Sequence, residues 1–243
     1  MGWDESAVLW LNHLIALKPQ YFHAALFLSD VTPWILASAI LVALWFAQGE
    51  QQAEQWDEED EVYRHRLAVL TTLIGAVLAF AAARPLAFWT ARPVPLTWMP
   101  LQAPIDPTVW AQVVEVFRQQ HGAFPSDHAA FWGALTAGVW LVSRRWSGVV
   151  FLGVMFFSAL RVALGYHYPT DMVAGFALGM MGLAIAFALR RKMSWLLNPL
   201  LMQVDARPHW AYALGLLILL DLSQRMAWFF GLLATWLGVY FPH

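Results

Sequence analysis

The chain has 243 residues, of which 60% are apolar and only 12% charged, and its net charge is -2. These values exclude an ordinary soluble domain and a nucleic-acid partner, because the few cations sit in loops or beside apolar helix ends and form no basic stripe. The absence of cysteine excludes disulfides and thiolate metal sites. About six helices of roughly 20 residues fit this length with short connections. The expectation is therefore one membrane-embedded domain over residues 1–243, an all-α integral membrane protein with about six transmembrane helices. Fifteen tryptophans suit two interfacial belts.

In chain order, Met1 to Ser6 carry Asp4 and Glu5 where a secretory signal would be basic, so a mature N-terminus is expected. Ala7 to Leu17 are apolar but broken by Asn12 and His13 and stopped by Lys18-Pro19, too short to span. They read as an interfacial helix. Tyr21 to Ser29 form a second short segment, and the first spanning run follows from Val31 to Gln48, although one helix from Ala7 to Ser29 is an alternative. Gly49 to Arg66 is acidic and reads as a solvated loop. Further spanning runs cover Leu67 to Trp89, the stretch from Ala129 to the Arg144-Arg145 pair, Gly148 to Gly165, and Met172 to Leu189. Between the first two of these, Arg92 to Gly122 reads as an extramembrane loop with a short extracytoplasmic helix at Val109 to Gln120. Residues 193–243 form a C-terminal extension, read as a loop to Arg207 and then one last helix with a polar patch. In that patch Asp221 and Arg225, four residues apart, can pair; a helix-break-helix is the alternative.

Orientation follows from cation counting, since Lys and Arg in short loops are retained inside. The loops at 49–66, 144–145 and 190–207 hold Arg64, Arg66, Arg144, Arg145, Arg190, Arg191, Lys192 and Arg207. Placing them inside puts the segments around 92–128 and 165–171 outside.

Those outer segments hold the chemistry. Arg161, His167 and Asp171 come first, and taken alone they read either as a charged capping cluster at a helix turn or as a catalytic set, in which a carboxylate on one imidazole nitrogen fixes the tautomer and leaves the other bare for attack on phosphorus, with Arg161 on the non-bridging oxygens. Pro125-Ser126-Asp127-His128 stands at a helix start, where amides and the Ser126 hydroxyl suit an anion and His128 can protonate a leaving oxygen. An ordinary N-cap accounts for Ser126 and Asp127 but leaves His128 without a role. Arg84, a cation inside the end of an apolar helix, is stabilised by a bound phosphate or by snorkelling, and Arg92 lies just beyond it. Together these are the parts of a phosphate-ester hydrolase. His13, His23, His65, His121, His209 and His243 read as interfacial or solvated, with His121 close enough to the second stretch to touch a head group.

The three stretches resemble the type 2 phosphatidic acid phosphatase superfamily, whose motifs are Lys-x6-Arg-Pro, Pro-Ser-Gly-His and Ser-Arg-x5-His-x3-Asp. Arg161, His167 and Asp171 match the third, with Leu160 where serine stands; Pro125, Ser126 and His128 match the second, with Asp127 for glycine. Arg84 replaces the lysine of the first, and Arg92-Pro93 comes one residue late. Phe124-Pro125-Ser126-Asp127-His128 is similar to the bacitracin-resistance type of undecaprenyl-diphosphatase. The resemblance covers roughly residues 80–190. It implies His167 as the nucleophile, through a phosphohistidine, with Asp171 orienting it and His128 as acid. It further implies Arg84, Arg92, Ser126, Asp127 and Arg161 as the phosphate-binding set, with no metal and no cofactor.

The function expected is hydrolysis of a membrane lipid pyrophosphate, undecaprenyl pyrophosphate first, at the outer face of the inner (plasma) membrane. The partners expected are the bilayer and its lipid phosphate. Alternatives are a phosphatase of phosphatidylglycerophosphate, phosphatidic acid or lipid A, a lipid phosphotransferase using the same residues, and a non-catalytic lipid carrier. A histidine metal site is disfavoured by the surrounding arginines.

Overall fold

A computed structural model describes residues 2–30, 32–46, 58–118 and 122–223. Within them the chain is helical, without strands, and its helices are α1 (Trp3–Ala16), α2 (Pro19–Asp30), α3 (Thr32–Trp45), α4 (Glu58–Thr90), α5 (Pro107–Arg118), α6 (Asp127–Val142), α7 (Arg144–Ala163), α8 (Pro169–Leu189), α9 (Ser194–Ala206) and α10 (Pro208–Ser223). Among the described residues four segments are long and apolar enough to cross a membrane: Pro19–Trp45, His65–Thr97, Arg144–Ala163 and Pro169–Leu189. It is a membrane protein.

The centre is α4, α6 and α8, and glycines let these three helices touch backbone to backbone. A Cβ on Gly175 or Gly179 of α8 would strike the carbonyl of Ser126 or Ala130 on α6, and one on Gly133 of α6 would strike the carbonyl of Phe176. Gly75 of α4 and Gly182 of α8 meet in the same way. Such contacts matter in lipid, where close packing and not water exclusion holds helices together. Around this centre, Trp34, Leu41, Val69, Phe131, Leu135 and Val139 form a buried cluster shared by α3, α4 and α6.

The N-terminal helix ends at Ala16, before Lys18-Pro19, as the sequence suggests, so Ala7 to Ser29 do not form one helix. The first apolar span starts earlier than expected, with α2 and α3 both contributing; Pro33 is tolerated because it sits in the first turn of α3. The short amphipathic piece appears as α5, whose Trp110, Val113, Val114 and Phe117 cover the buried Phe22, Leu96 and Leu164. The segment read as a loop before Arg207 departs more: it forms α9, because Leu197 and Leu201, four apart, bury on one face. Residues 49–57 of the acidic stretch, His121, and everything after Ser223, including Arg225 and Met226 to Tyr240, lie outside the described residues, whereas residues 58–66, read as loop, form the first turns of α4.

Candidate active site

Three local structures bring the chemistry to one end of the bundle. α7 ends in a Schellman turn: the amide of Tyr166 donates to the Arg161 carbonyl at 3.0 Å and that of Gly165 to Val162 at 2.9 Å, with Gly165 at φ 75°. Glycine is required there, since a Cβ would also collide with Leu101. This turn points Arg161 and His167 to the same end. α8 then begins with Pro169 in its first turn, and Asp171 accepts the Tyr168 amide at 2.8 Å. α6 is capped by Ser126, whose Oγ accepts the Ala129 amide at 3.3 Å, and the Ser126 amide donates to the Asp171 carbonyl at 3.1 Å.

His167 does not take Asp171 as its hydrogen-bond partner. Its Nδ1 donates to the Ala123 carbonyl at 2.9 Å, while the nearer Asp171 oxygen is 4.0 Å away. A main-chain carbonyl therefore fixes the tautomer and leaves Nε2 as the bare nitrogen. Burial first, and the charge of Arg161 second, push the His167 imidazole down from 6.5 to about 3, so it is neutral at physiological pH. Neutral imidazole is the nucleophilic form.

Opposite it, His128 is buried, and its Nδ1 lies 2.8 Å from Oδ1 of Asp127, which also accepts the His128 amide at 2.7 Å. Asp127, grouped with the phosphate-binding residues on sequence, thus engages His128, where a carboxylate favours the protonated ring. An anion would repel phosphate; it suits a histidine acid. The Trp34 indole packs against His128 at 5.1 Å between centroids.

The arginines divide by environment. Arg161 is buried, with Nη1 donating to the Ser29 carbonyl at 3.3 Å and its guanidinium 5.2 Å from the Tyr166 ring. Arg92, expected on sequence to bind phosphate, has both Nη atoms engaged by protein. Nη1 donates to Asp171 at 2.5 Å and Thr170 at 2.7 Å, Nη2 donates to Asp4 at 2.7 Å, and the plane lies 3.8 Å from the Tyr168 ring. Arg84 is on the exposed side of α4, its guanidinium 5.0 Å from the Phe80 ring. Direct bonds thus join Arg92, Asp171 and Ser126, and separately Asp127 and His128. Among the described residues no group of three or more His, Asp or Glu side chains is spaced to hold a metal ion.

The sequence profile of the PAP2 superfamily matches residues 67–195, over half of the chain. The chain belongs to the PAP2 superfamily. No curated protein and no solved structure matches it. As a PAP2 protein it is a membrane phosphatase acting on lipid phosphates, and the matched span holds all three motif stretches. What the PAP2 span does not hold is α1 to α3, yet these supply Asp4 to Arg92, Ser29 to Arg161 and Trp34 to His128. Sequence reading missed Asp4, Trp34, Thr170 and the Ala123 carbonyl as site members. Only Asp4 left a signal, as one of two carboxylates in the first turn of α1.

Proposed function

We propose that this PAP2 protein hydrolyses undecaprenyl pyrophosphate to undecaprenyl phosphate and phosphate, at the extracytoplasmic face of the plasma membrane. The observation that carries the chemistry is the neutral, buried His167, with Nδ1 committed to the Ala123 carbonyl and Arg161 close enough to depress its protonation. The lipid is inferred from Phe124-Pro125-Ser126-Asp127-His128, the pentapeptide similar to the bacitracin-resistance type of diphosphatase. The outward orientation is supported by Arg144, Arg145, Arg190, Arg191 and Lys192, which lie at the helix ends remote from the motifs.

In the first step Nε2 of His167 attacks the terminal phosphorus, the N–P bond forms and the bridging P–O bond breaks. His128 gives its Nε2 proton to the leaving oxygen. Arg161 and the Ser126 hydroxyl hold the non-bridging oxygens, where charge accumulates in the transition state. In the second step His128 takes a proton from water, the water oxygen bonds phosphorus, and the N–P bond breaks. Asp127 stabilises the protonated His128, and Asp171 fixes the loop carrying His167. Arg92 acts through Asp171, which it holds from Nη1, rather than on the phosphate itself.

The experiment is phosphate release from purified lipids in detergent or vesicles, with EDTA present. Undecaprenyl pyrophosphate is expected to have the highest kcat/KM, above phosphatidylglycerophosphate, phosphatidic acid and lipid A. Faster release from one of those monophosphates contradicts the lipid assignment. A phosphorylated lipid product in place of free phosphate redirects it to transfer, and inhibition by EDTA contradicts the metal-free mechanism.

A further inference from the structure

Helix α1 lies outside the matched family span, but its buried stripe reaches the candidate site. Asp4, Val8 and Asn12, each four residues apart, face inward; Val8 is fully buried and Asn12 is 2% exposed, whereas Trp3 and Trp10 on the other side are exposed. Asn12 fixes the register of this docking. Its Nδ2 donates to the carbonyls of Gln102 and Ala163, both at 3.1 Å, and its Oδ1 accepts the Gln102 amide at 2.8 Å.

About two turns away along the helix, Asp4 ends in a dense set of bonds. It accepts Arg92 Nη2 at 2.7 Å, the Thr170 hydroxyl at 2.5 Å and the Thr170 amide at 3.2 Å. Arg92 in turn holds Asp171 through Nη1, and Asp171 holds the Tyr168 amide beside His167. Burial pushes the Asp4 carboxyl up, but the bonds from Thr170 and Arg92 outweigh it and hold the group below its ordinary value, so it is ionised. A carboxylate shared by a guanidinium, a hydroxyl and an amide is a strong, directional tie.

We infer that Asp4 is a positioning residue for the reaction, clamping Arg92 and Thr170 so that the 167–171 turn presents His167 in register with Arg161 and His128. This deepens the phosphatase reading and rests on it. The clamp also explains the placement of Arg92, which bridges α1 to α8 with Asp4 on one side and Asp171 on the other.

The test is steady-state phosphate release by the full-length protein for wild type, Asp4→Asn, Arg92→Gln and the double variant. Asp4→Asn keeps size but loses charge, and is expected to lower kcat about 30-fold with KM within about twofold, as misplacement of a nucleophile does. The double variant is expected to be no slower than Arg92→Gln alone, since both act through one tie. Thr170→Val, which keeps shape and replaces the hydroxyl that donates to Asp4 with a methyl group, is expected to lower kcat about fivefold and serves if Asp4→Asn does not fold. A wild-type kcat in Asp4→Asn and Thr170→Val, or fully additive losses in the double variant, overturns the clamp while leaving the phosphatase reading intact. A wild type that releases no phosphate from any lipid phosphate overturns both.

Discussion

His167 is surrounded so that its imidazole stays neutral, because burial and the Arg161 charge both oppose protonation. With a value near 3 in place of 6.5, the neutral form dominates at every pH above about 4. In the ligand-free protein, 15N NMR of histidine is expected to show no titration of His167 between pH 5 and 8; a midpoint near 6.5 would contradict the burial argument. His128 has a different neighbour, the Asp127 carboxylate, 2.8 Å from its Nδ1. Asp127→Asn should reduce phosphate release by about tenfold, and His128→Ala by about 100-fold or more, measured at saturating lipid. Equal rates for Asp127→Asn and wild type would remove the carboxylate from the acid's support. At this scale the residues were legible and their partners were not. Arg161, His167 and Ser126 announce themselves by spacing and helix-end position, but the Ala123 carbonyl is 44 residues from His167, and Asp4 is 88 residues from Arg92. No local pattern encodes a contact of that range.

The helices carry a second set of consequences. α8 is apolar all round, so periodicity identifies it as buried or membrane-spanning without saying which face meets which neighbour. Its glycines do say. Gly179→Ala would drive a methyl group into the Ala130 carbonyl of α6 and is expected to destabilise the protein by about 1–3 kcal/mol, as overpacking does. Gly148→Ala, on a face of α7 where nothing lies within 4 Å, is the control and should leave the detergent Tm unchanged or raised. Loss of Tm in the second variant equal to that in the first would contradict the packing account. On α1, Asn12→Ala leaves two carbonyls and an amide without their side-chain partner and should cost about 1–3 kcal/mol, read as a lower Tm. Boundaries set by proline, such as the stop at Lys18-Pro19 and the start at Pro169, could be read directly, since proline acts on its own turn. Residues 194–206 could not: their helix depends on Leu197 and Leu201 finding a surface to bury against, which is a tertiary property.

For the whole molecule, the helices run so that the motif stretches gather at one end and the arginine-rich turns at the other. That polarity puts the PAP2 site at one end of the helix bundle. The chain has no cysteine, so single substitutions report sidedness without background. Cysteine at Thr108, in α5 near the motif end, is expected to react with an impermeant maleimide in intact cells, and cysteine at Ser143, between α6 and α7, only after the cytoplasmic side is opened. The reverse pattern would invert the orientation. Composition and cation placement were enough to propose this arrangement, because bilayer insertion is governed by summed hydropathy and charge. Which elements complete the site was not legible, because α1 to α3 bear none of the family's motifs and reach the site only through folding.

The proposed chemistry stands most directly on a phosphoryl group passing through His167. Rapid quenching of the wild type with 32P-labelled undecaprenyl pyrophosphate, in EDTA, should trap an acid-labile, base-stable phosphoprotein whose label maps to the peptide containing His167. His167→Ala should form none and release phosphate more than about 1,000-fold more slowly. Unaltered phosphate release by His167→Ala would contradict the phosphohistidine route at its centre.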